Sequence, residues 1–500
     1  MTDSAPDYDV LIVGAGISGI GMAAHMRMKC PHHSFAIVER RANLGGTWDL
    51  FRYPGIRSDS DMHTLGFDFE PWKHEKSIAD APAILGYLDR IVDERDIRRH
   101  IRFGHKVLTA EFDSATARWT VTVETGEGEK KRLTANWLYL GSGYYDYDEP
   151  HDPGFAFGGF EGQVIHPQFW PEDLDYTGKR VVVIGSGATA VTIVPAMAAK
   201  AGHVTMLQRT PTWMFCRPAK DRFANFLRRW LPEDLAYRIT RWKNVRLQAF
   251  GFRRAREKPE KVKAFLHRKL RRIMGPDYDL APFTPPYNPW EQRLCLVPDD
   301  DLFAAIKQGK ADVVTGRIAA FEKGGVRLED GSHLLADIVV TATGLKLAVA
   351  GKIAISVDGA AVDFAERFYY KGCMFSNVPN LAVVFGYLNA SWTLRADINS
   401  DYVCRVLNAM RAKGADLAIP VLADDHALEE DDIFDFSSGY IQRSKHIMPK
   451  NAVAYPWRLN QEYLVDRKRM KVEPVEDGIL ALRRAKADTS GRGELLQAAE

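Results

Sequence analysis

The residues that most directly suggest chemistry are two glycine-rich stretches and the charged side chains that follow them. Gly14-Ala15-Gly16-Ile17-Ser18-Gly19 comes straight after a β-rich run, Tyr8 to Val13, and leads into a helical pattern reaching about Met28. Glycines at this spacing allow a tight turn, close approach of backbone to a pyrophosphate and close helix–strand packing, while the helix N-terminus offers its positive end. The next strand, Phe35 to Val38, ends in Glu39. An acid there hydrogen-bonds ribose hydroxyls and repels a 2′-phosphate, so this site fits the unphosphorylated ribose of FAD. Close behind it, Gly45-Gly46-Thr47-Trp48 is a turn whose backbone is placed to meet the same cofactor.

The second stretch repeats the plan with one change. Val181 to Ile184 reads as a buried parallel strand, and Gly185-Ser186-Gly187-Ala188-Thr189-Ala190 is its turn. Alanine in the third position still permits close packing. The following strand, His203 to Leu207, ends in Gln208-Arg209-Thr210-Pro211, with no acid where Glu39 stands in the first unit. Arg209 attracts a 2′-phosphate through charge-assisted hydrogen bonds, so this site fits NADPH. Between the two lies a connector with Phe160, Gly162, His166, Trp170 and Pro171 at fixed offsets. Two nucleotide sites joined in this way have something to pass from one nucleotide to the other.

Other candidates carry two readings each. Asp59 follows the turn signal Tyr53-Pro54-Gly55, where an Asp serves as a cap or turn residue as readily as a site residue. Arg293 enters a short apolar run after the proline cluster of 285–289, where an Arg needs a partner or a ligand. Phe385 to Trp392, with Asn389, is a turn opening a helix from about Leu394 to Met410, and it can approach a cofactor again.

These residues need an α/β architecture to hold them. Five hundred residues exceed what one core accommodates, so two or three domains are expected. Ala135 to Gly143 and Ala336 to Gly344 resemble each other, and each reads as a strand returning to a Rossmann sheet after a polar, alternating stretch. The simplest arrangement is two Rossmann-like dinucleotide-binding domains, with the NADPH domain inserted into the FAD domain. FAD-binding residues then span 1–150 and 341–486, NADPH-binding residues span 151–340, and 487–500 form a disordered tail. Residues 217–279 form a helical insertion with nineteen Lys/Arg against seven Asp/Glu. They read as a solvated insertion packed on the nucleotide domain, or as a weak contact surface for an anionic partner such as a membrane face. No nucleic-acid motif accompanies the charge, and the whole chain is only +2, so nucleic acid is not expected. The five cysteines are odd in number and widely spaced, which argues against a CxxC redox pair or zinc knuckle; no metal site is expected. The run Val181 to Ala199 reads as strand–turn–helix rather than a membrane span, no basic-then-apolar leader precedes Val10, and a cytoplasmic protein is expected.

With these motifs together, Phe160-x-Gly162-x-x-x-His166-x-x-x-Trp170-Pro171 before the second turn resembles the class B flavoprotein monooxygenases, and its Trp-Pro ending resembles the Baeyer–Villiger type. Gly45 to Asp59 matches a second long motif of that group. Tyr287 to Val297, with Asn389-Ala390-Ser391-Trp392-Thr393, is similar to the ethionamide-activating subgroup. The resemblance implies that NADPH reduces FAD, that the flavin takes up O2 to form a C4a-peroxyflavin, and that a ketone is converted to an ester or lactone. It also implies sulfide or thioamide oxidation by the protonated form. Within it, Arg293 matches the catalytic arginine and Asp59 the acid that orients it; His166 and Trp170 match residues that couple the domains. In some relatives a Lys precedes the catalytic Arg and contacts the cofactor phosphate; here Gln292 stands there, leaving Arg209 and Thr210 as the better candidates. Alternative readings are a heteroatom-only (N/S) oxygenase, a disulfide-type flavin reductase, for which the cysteine pair is lacking, and a non-enzymatic basic scaffold.

Overall fold

The computed structural model describes residues 5–423, 428–433 and 436–485. The tail expected at 487–500 lies outside them.

The chain begins with β1 (Tyr8–Val13), α1 (Ile17–Lys29) and β2 (Phe35–Val38), a parallel βαβ unit in which Val10 pairs with Phe35 and Val13 with Val38. After β3 (Ile101–Arg102), the strands β4 (His105–Asp113), β5 (Arg118–Thr125) and β6 (Lys130–Leu140) form an antiparallel meander. Trp119, Val121 and Val123 alternate inward along β5, as a half-buried strand requires. The end of β6 then runs parallel to β1. A second sheet follows: β7 (Gln163–Ile165), β8 (Arg180–Ile184), α2 (Ala188–Met197) and β9 (His203–Gln208). Three helices interrupt it: α3 (Arg222–Trp230), α4 (Glu233–Glu257) and α5 (Pro259–Met274). It closes with β10 (Ala311–Thr315) and β11 (Ile338–Thr341). β12 (Ala354–Val357), β13 (Ala360–Ala361) and β14 (Leu381–Val383) return to the first sheet, ahead of α6 (Trp392–Lys413).

The nine-stranded sheet has the order β13-β12-β4-β5-β6-β1-β2-β3, with β14 on β6; the five-stranded sheet has the order β10-β9-β8-β11-β7. The two look-alike segments therefore do equivalent jobs: β6 flanks β1, and β11 flanks β8. The first sheet separates two cores by simple alternation. Val10, Ile12, Trp137 and Tyr139 face one side, with α1 and α6, while Leu11, Val13, Leu138 and Leu140 face the other.

The helical insertion does not stand off in solvent. α4 packs against the first unit, where Tyr237 and Val245 share the core of β1 and α1. Arg241 is buried; its Nη1 donates to the carbonyls of His63 and Gly66 at 2.9 and 2.7 Å, and its Nη2 lies 3.4 Å from Asp397 of α6. Tyr237 donates its hydroxyl to Phe67 O at 2.7 Å, and Asn244 donates to Asp61 at 2.9 Å. Asp397 also meets His25 of α1 at 3.4 Å and accepts the Asp68 N–H, and Lys471 pairs with Asp68. His25, Asp68 and Asp397 have the donor types of a metal site. Here their charge is answered by Arg241 and Lys471. Losing one partner of so buried a network costs about 3–5 kcal/mol, because the others stay behind unpaired. Among the described residues, no helix is long and apolar enough to cross a membrane.

Candidate active site between the two glycine turns

Each glycine turn is gripped by the small residues that end its flanking strand. Gly14 has φ +97°, and a Cβ there would lie 2.8 Å from Gly141 O; Gly185 has φ +137°, and a Cβ there would lie 2.2 Å from Ala342 O. Only glycine combines that backbone angle with that approach. Gly16 and Gly187 then stand at the N-termini of α1 and α2, and neither helix start carries a side-chain cap. The orphan N–H groups of both first turns are left for a ligand, and both turns open on one cleft of about 1140 Å³.

Around the first turn, Gly14, Gly16, Ser18, Glu39, Gly46, Thr47 and Trp48 line this cleft. Glu39 is buried, and its carboxylate accepts the N–H of Ala15 at 2.7 Å and of Arg41 at 2.9 Å. Burial pushes its pKa up, and the two N–H bonds oppose that shift. Thr47 meets the Tyr147 hydroxyl at 3.2 Å, and Trp392 donates to Ser18 Oγ at 2.7 Å. Gly19 is buried within α1, beneath the turn rather than in the cleft wall. Asn389 also stays out of the wall: it is buried and donates to Gln461 O at 2.9 Å.

Around the second turn, Gly185, Gly187, Ala188, Thr189, Arg209 and Thr210 line the cleft. Arg209 is exposed, with no ion-pair or hydrogen-bond partner among the described residues. Gln292 lines the same wall. So does Arg443, whose pKa is lowered by burial and then by the charge of Arg209. Two like charges converge where an anion would relieve them.

Asp59 and Arg293 meet between the turns. The loop carrying Asp59 lies close on α2 at Gly55, where a Cβ would come within 2.7 Å of Ala196 Cβ and 3.1 Å of Thr192 O, and is tied by an ion pair from Arg57 to Asp301. The cap position falls to Asp61, at the start of the short helix Met62–Leu65. Arg293 lies two residues before the strand Cys295–Pro298, which pairs with Met214–Arg217. Its Nη2 reaches Asp59 Oδ2 at 3.1 Å and Oδ1 at 3.3 Å. Both side chains are about a third exposed, at 34 and 32 %, and both line the cleft. The carboxylate of Asp59 raises the Arg293 pKa further, so the guanidinium is charged at any working pH. Tyr144, Tyr145 and Tyr440 surround it, and burial raises the pKa of all three phenols. Tyr144 meets the Tyr145 hydroxyl at 2.9 Å and stacks on Trp392 at 4.9 Å, so an aromatic path runs from Ser18 to the guanidinium.

His166 and Trp170 lie outside the cleft wall. His166 Nδ1 accepts the Gln168 N–H at 3.1 Å, and burial pushes its pKa down to about 4. Gln168 donates to Asp146 O at 2.8 Å, and Asp146 pairs with Lys352. The connector thus clamps the outgoing crossing to the returning one. Trp170 packs on the core of the five-stranded unit. Sequence reasoning missed Gln168, Tyr144, Tyr145, Tyr440 and Arg443. The Tyr-rich linker after Gly143 was the one available signal.

The donors present suit two dinucleotides: open N–H groups at two helix starts, an anchored acid at one and, at the other, two cations without an acid partner among the described residues. A family model described as flavin-binding monooxygenase-like matches residues 8–350. The chain is 49% identical over 472 residues to the FAD-containing monooxygenase EthA of Mycobacterium tuberculosis, covering 94% of this chain and 96% of that protein. It is 47% identical over 474 residues to a probable FAD-binding monooxygenase, AlmA, of Acinetobacter baylyi, covering 94% and 95%. Among solved structures, an oxidised steroid monooxygenase bound to NADP superposes with a TM-score of 0.73 at 23% identity, over 95% of this chain and 99% of that one. An ε-caprolactone-bound cyclohexanone monooxygenase gives 0.66 at 23% identity, over 83% and 89%. The fold is therefore that of the two-nucleotide monooxygenases, and the chain belongs to the flavin-binding monooxygenase-like family.

Proposed function

We propose that this flavin monooxygenase uses NADPH and O2 to insert one oxygen atom into a ketone, giving an ester or lactone, and that it also oxidises sulfides or thioamides. The observation that carries the reading is the Arg293–Asp59 pair, set in the cleft that both glycine turns share. The Gly14–Gly19 turn, in the unit formed by 1–150 and 341–486, would hold FAD, and Glu39 would take its ribose. The Gly185–Ala190 turn, within 151–340, would hold NADPH, and Arg209, Thr210 and Arg443 would take its 2′-phosphate. When bound, the flavin, reduced by the nicotinamide, supplies the activation of O2.

The chain's own part is electrostatic. Arg293 presents a fixed positive charge to the negative charge that develops on the carbonyl oxygen of the substrate as oxygen adds. A preorganised donor of this kind contributes on the order of 10²–10³ in rate. Asp59 holds the guanidinium by Nη2 and keeps it charged, leaving the other nitrogens for the reacting group. The three tyrosines stay protonated and cover part of the guanidinium, leaving about a third of it open to the cleft. His166 and Trp170 act at a distance, by holding the second unit against the first. Product chromatography with a simple methyl ketone and a methyl sulfide, with NADPH consumption followed alongside, tests the reading. Ester and sulfoxide are both expected. Sulfoxide with no ester at any pH would leave heteroatom oxygenation alone.

A further inference from the structure

The outer face of the helical insertion differs in kind from the rest of the surface. α3 carries Phe223, Phe226 and Trp230 at i, i+3 and i+7, hence on one side, and they are 42, 58 and 76 % exposed. On α4, the inward face holds Thr240, Arg241 and Asn244, while Trp242, Leu247 and Phe250 point away from the protein at 59, 62 and 63 %. The inward face is mixed, with Ala236, Tyr237 and Val245 buried beside these polar groups, yet large apolar side chains are presented outward as well. Arg246 lies 4.3 Å from the centroid of the Trp242 ring. The side chains between are basic. Residues 217–279 carry nineteen Lys/Arg against seven Asp/Glu, a surplus of twelve in a chain whose net charge is only +2. Scattered single apolar residues on a surface need no explanation, but aromatics clustered at helical spacing and interleaved with arginines mark an interaction face.

We propose that this face of α3 and α4 docks on a bilayer surface rich in anionic phospholipid, with Phe226 and Trp230 seated at the level of the headgroups. The occupant follows from charge and shape. Arginines answer the phosphates and acidic headgroups, and Trp and Phe rings partition into the interface, while no helix among the described residues is long and apolar enough to cross it. The buried Arg241 network fixes α4 to the body, so docking holds the whole molecule in one orientation.

The full-length, FAD-loaded protein is to be pelleted with vesicles of phosphatidylcholine, alone or mixed with phosphatidylglycerol. We expect pelleting with the mixed vesicles at low salt, and binding weaker by about tenfold with phosphatidylcholine alone or at high salt. Phe226→Glu with Trp230→Glu should weaken binding by about tenfold or more, since a buried aromatic anchor and local charge balance are both lost. Arg229→Glu with Arg246→Glu should abolish the preference for the anionic lipid. Both variants should keep bound FAD and NADPH oxidation, because these side chains are exposed and none of them lines the cleft. No pelleting at low salt, or variants that pellet as well as the parent, would overturn the proposal. So would self-association in light scattering that depends on Trp230 without any lipid binding, which would assign the face to a second copy. Binding to nucleic acid but not to vesicles would overturn it as well.

Discussion

At the end of the strand after the first turn stands Glu39, and at the end of its counterpart stands Arg209. Glu39 is buried and anchored by two backbone N–H groups; Arg209 is exposed and without a partner among the described residues. The first turn is walled: Gly46 packs on Gly16, Tyr147 meets Thr47, and Trp392 reaches Ser18. The second is open: a Cβ at Gly187 would meet nothing among the described residues within 4 Å beyond its own chain neighbours. One backbone plan therefore supports two kinds of binding. A walled, pre-bonded site suits a cofactor that stays, and an open site with unanswered charge suits one that leaves at every turnover. Arg293 and Asp59 stand where the two meet.

The largest effect is expected at that meeting point. Arg293→Ala should lower ketone oxygenation by about 10²–10³ or more, with FAD retained and NADPH still oxidised. Ester formation within a few-fold of the parent would remove Arg293 from the reaction. Next comes the walled site. Glu39→Ala leaves the N–H groups of Ala15 and Arg41 buried without an acceptor. Each such loss costs about 1–3 kcal/mol, so the purified variant should carry little FAD. The flavin-to-protein absorbance ratio reads this directly, and a ratio equal to the parent's would contradict the anchoring role.

The turns were legible in the sequence because their information is local: glycine spacing, an acid or an arginine at a strand end, alternation along β5. The Asp59–Arg293 pair was not, because 234 positions separate the two residues. Only the family resemblance joined them. Tyr440 and Arg443 come from the short helix Gly439–Arg443, which has no pattern of its own, and they reach the cleft because the chain returns there after α6. The sequence marks the insertion as basic and helical but carries no sign that it docks on the first unit. Its buried face mixes Tyr237 and Val245 with Thr240, Arg241 and Asn244, while Trp242, Leu247 and Phe250 lie outside, so no clean apolar stripe marks the inward side.

The open site should respond through the phosphate alone. Arg209→Ala removes charge-assisted bonds worth about 1.5–3 kcal/mol, so KM for NADPH should rise on the order of 10–100-fold while KM for NADH stays put. Arg443→Ala should shift it in the same direction by a smaller factor, on the order of fivefold, as a second cation acting at longer range. Steady-state kinetics with both nucleotides separates the two. A parallel rise with NADH would place these arginines on some other part of the nucleotide.

The smallest effect lies in the connector that joins the walled site to the open one. His166 accepts the Gln168 N–H with Nδ1, and burial, reinforced by His151, depresses its pKa from 6.5 to about 4. Because the folded value lies below the unfolded one, the unfolded chain takes up the proton first as the pH falls. The stability contributed above 6.5 is then lost progressively between 6.5 and about 4. His166→Asn keeps an acceptor for the Gln168 N–H and cannot titrate. Its melting temperature should therefore fall less steeply than the parent's as the pH is lowered through that window. Other buried histidines titrate in both proteins and cancel in the difference. Parallel curves would mean that the His166 proton is not coupled to folding, and that the clamp between the two crossings rests on Gln168, Asp146 and Lys352 instead.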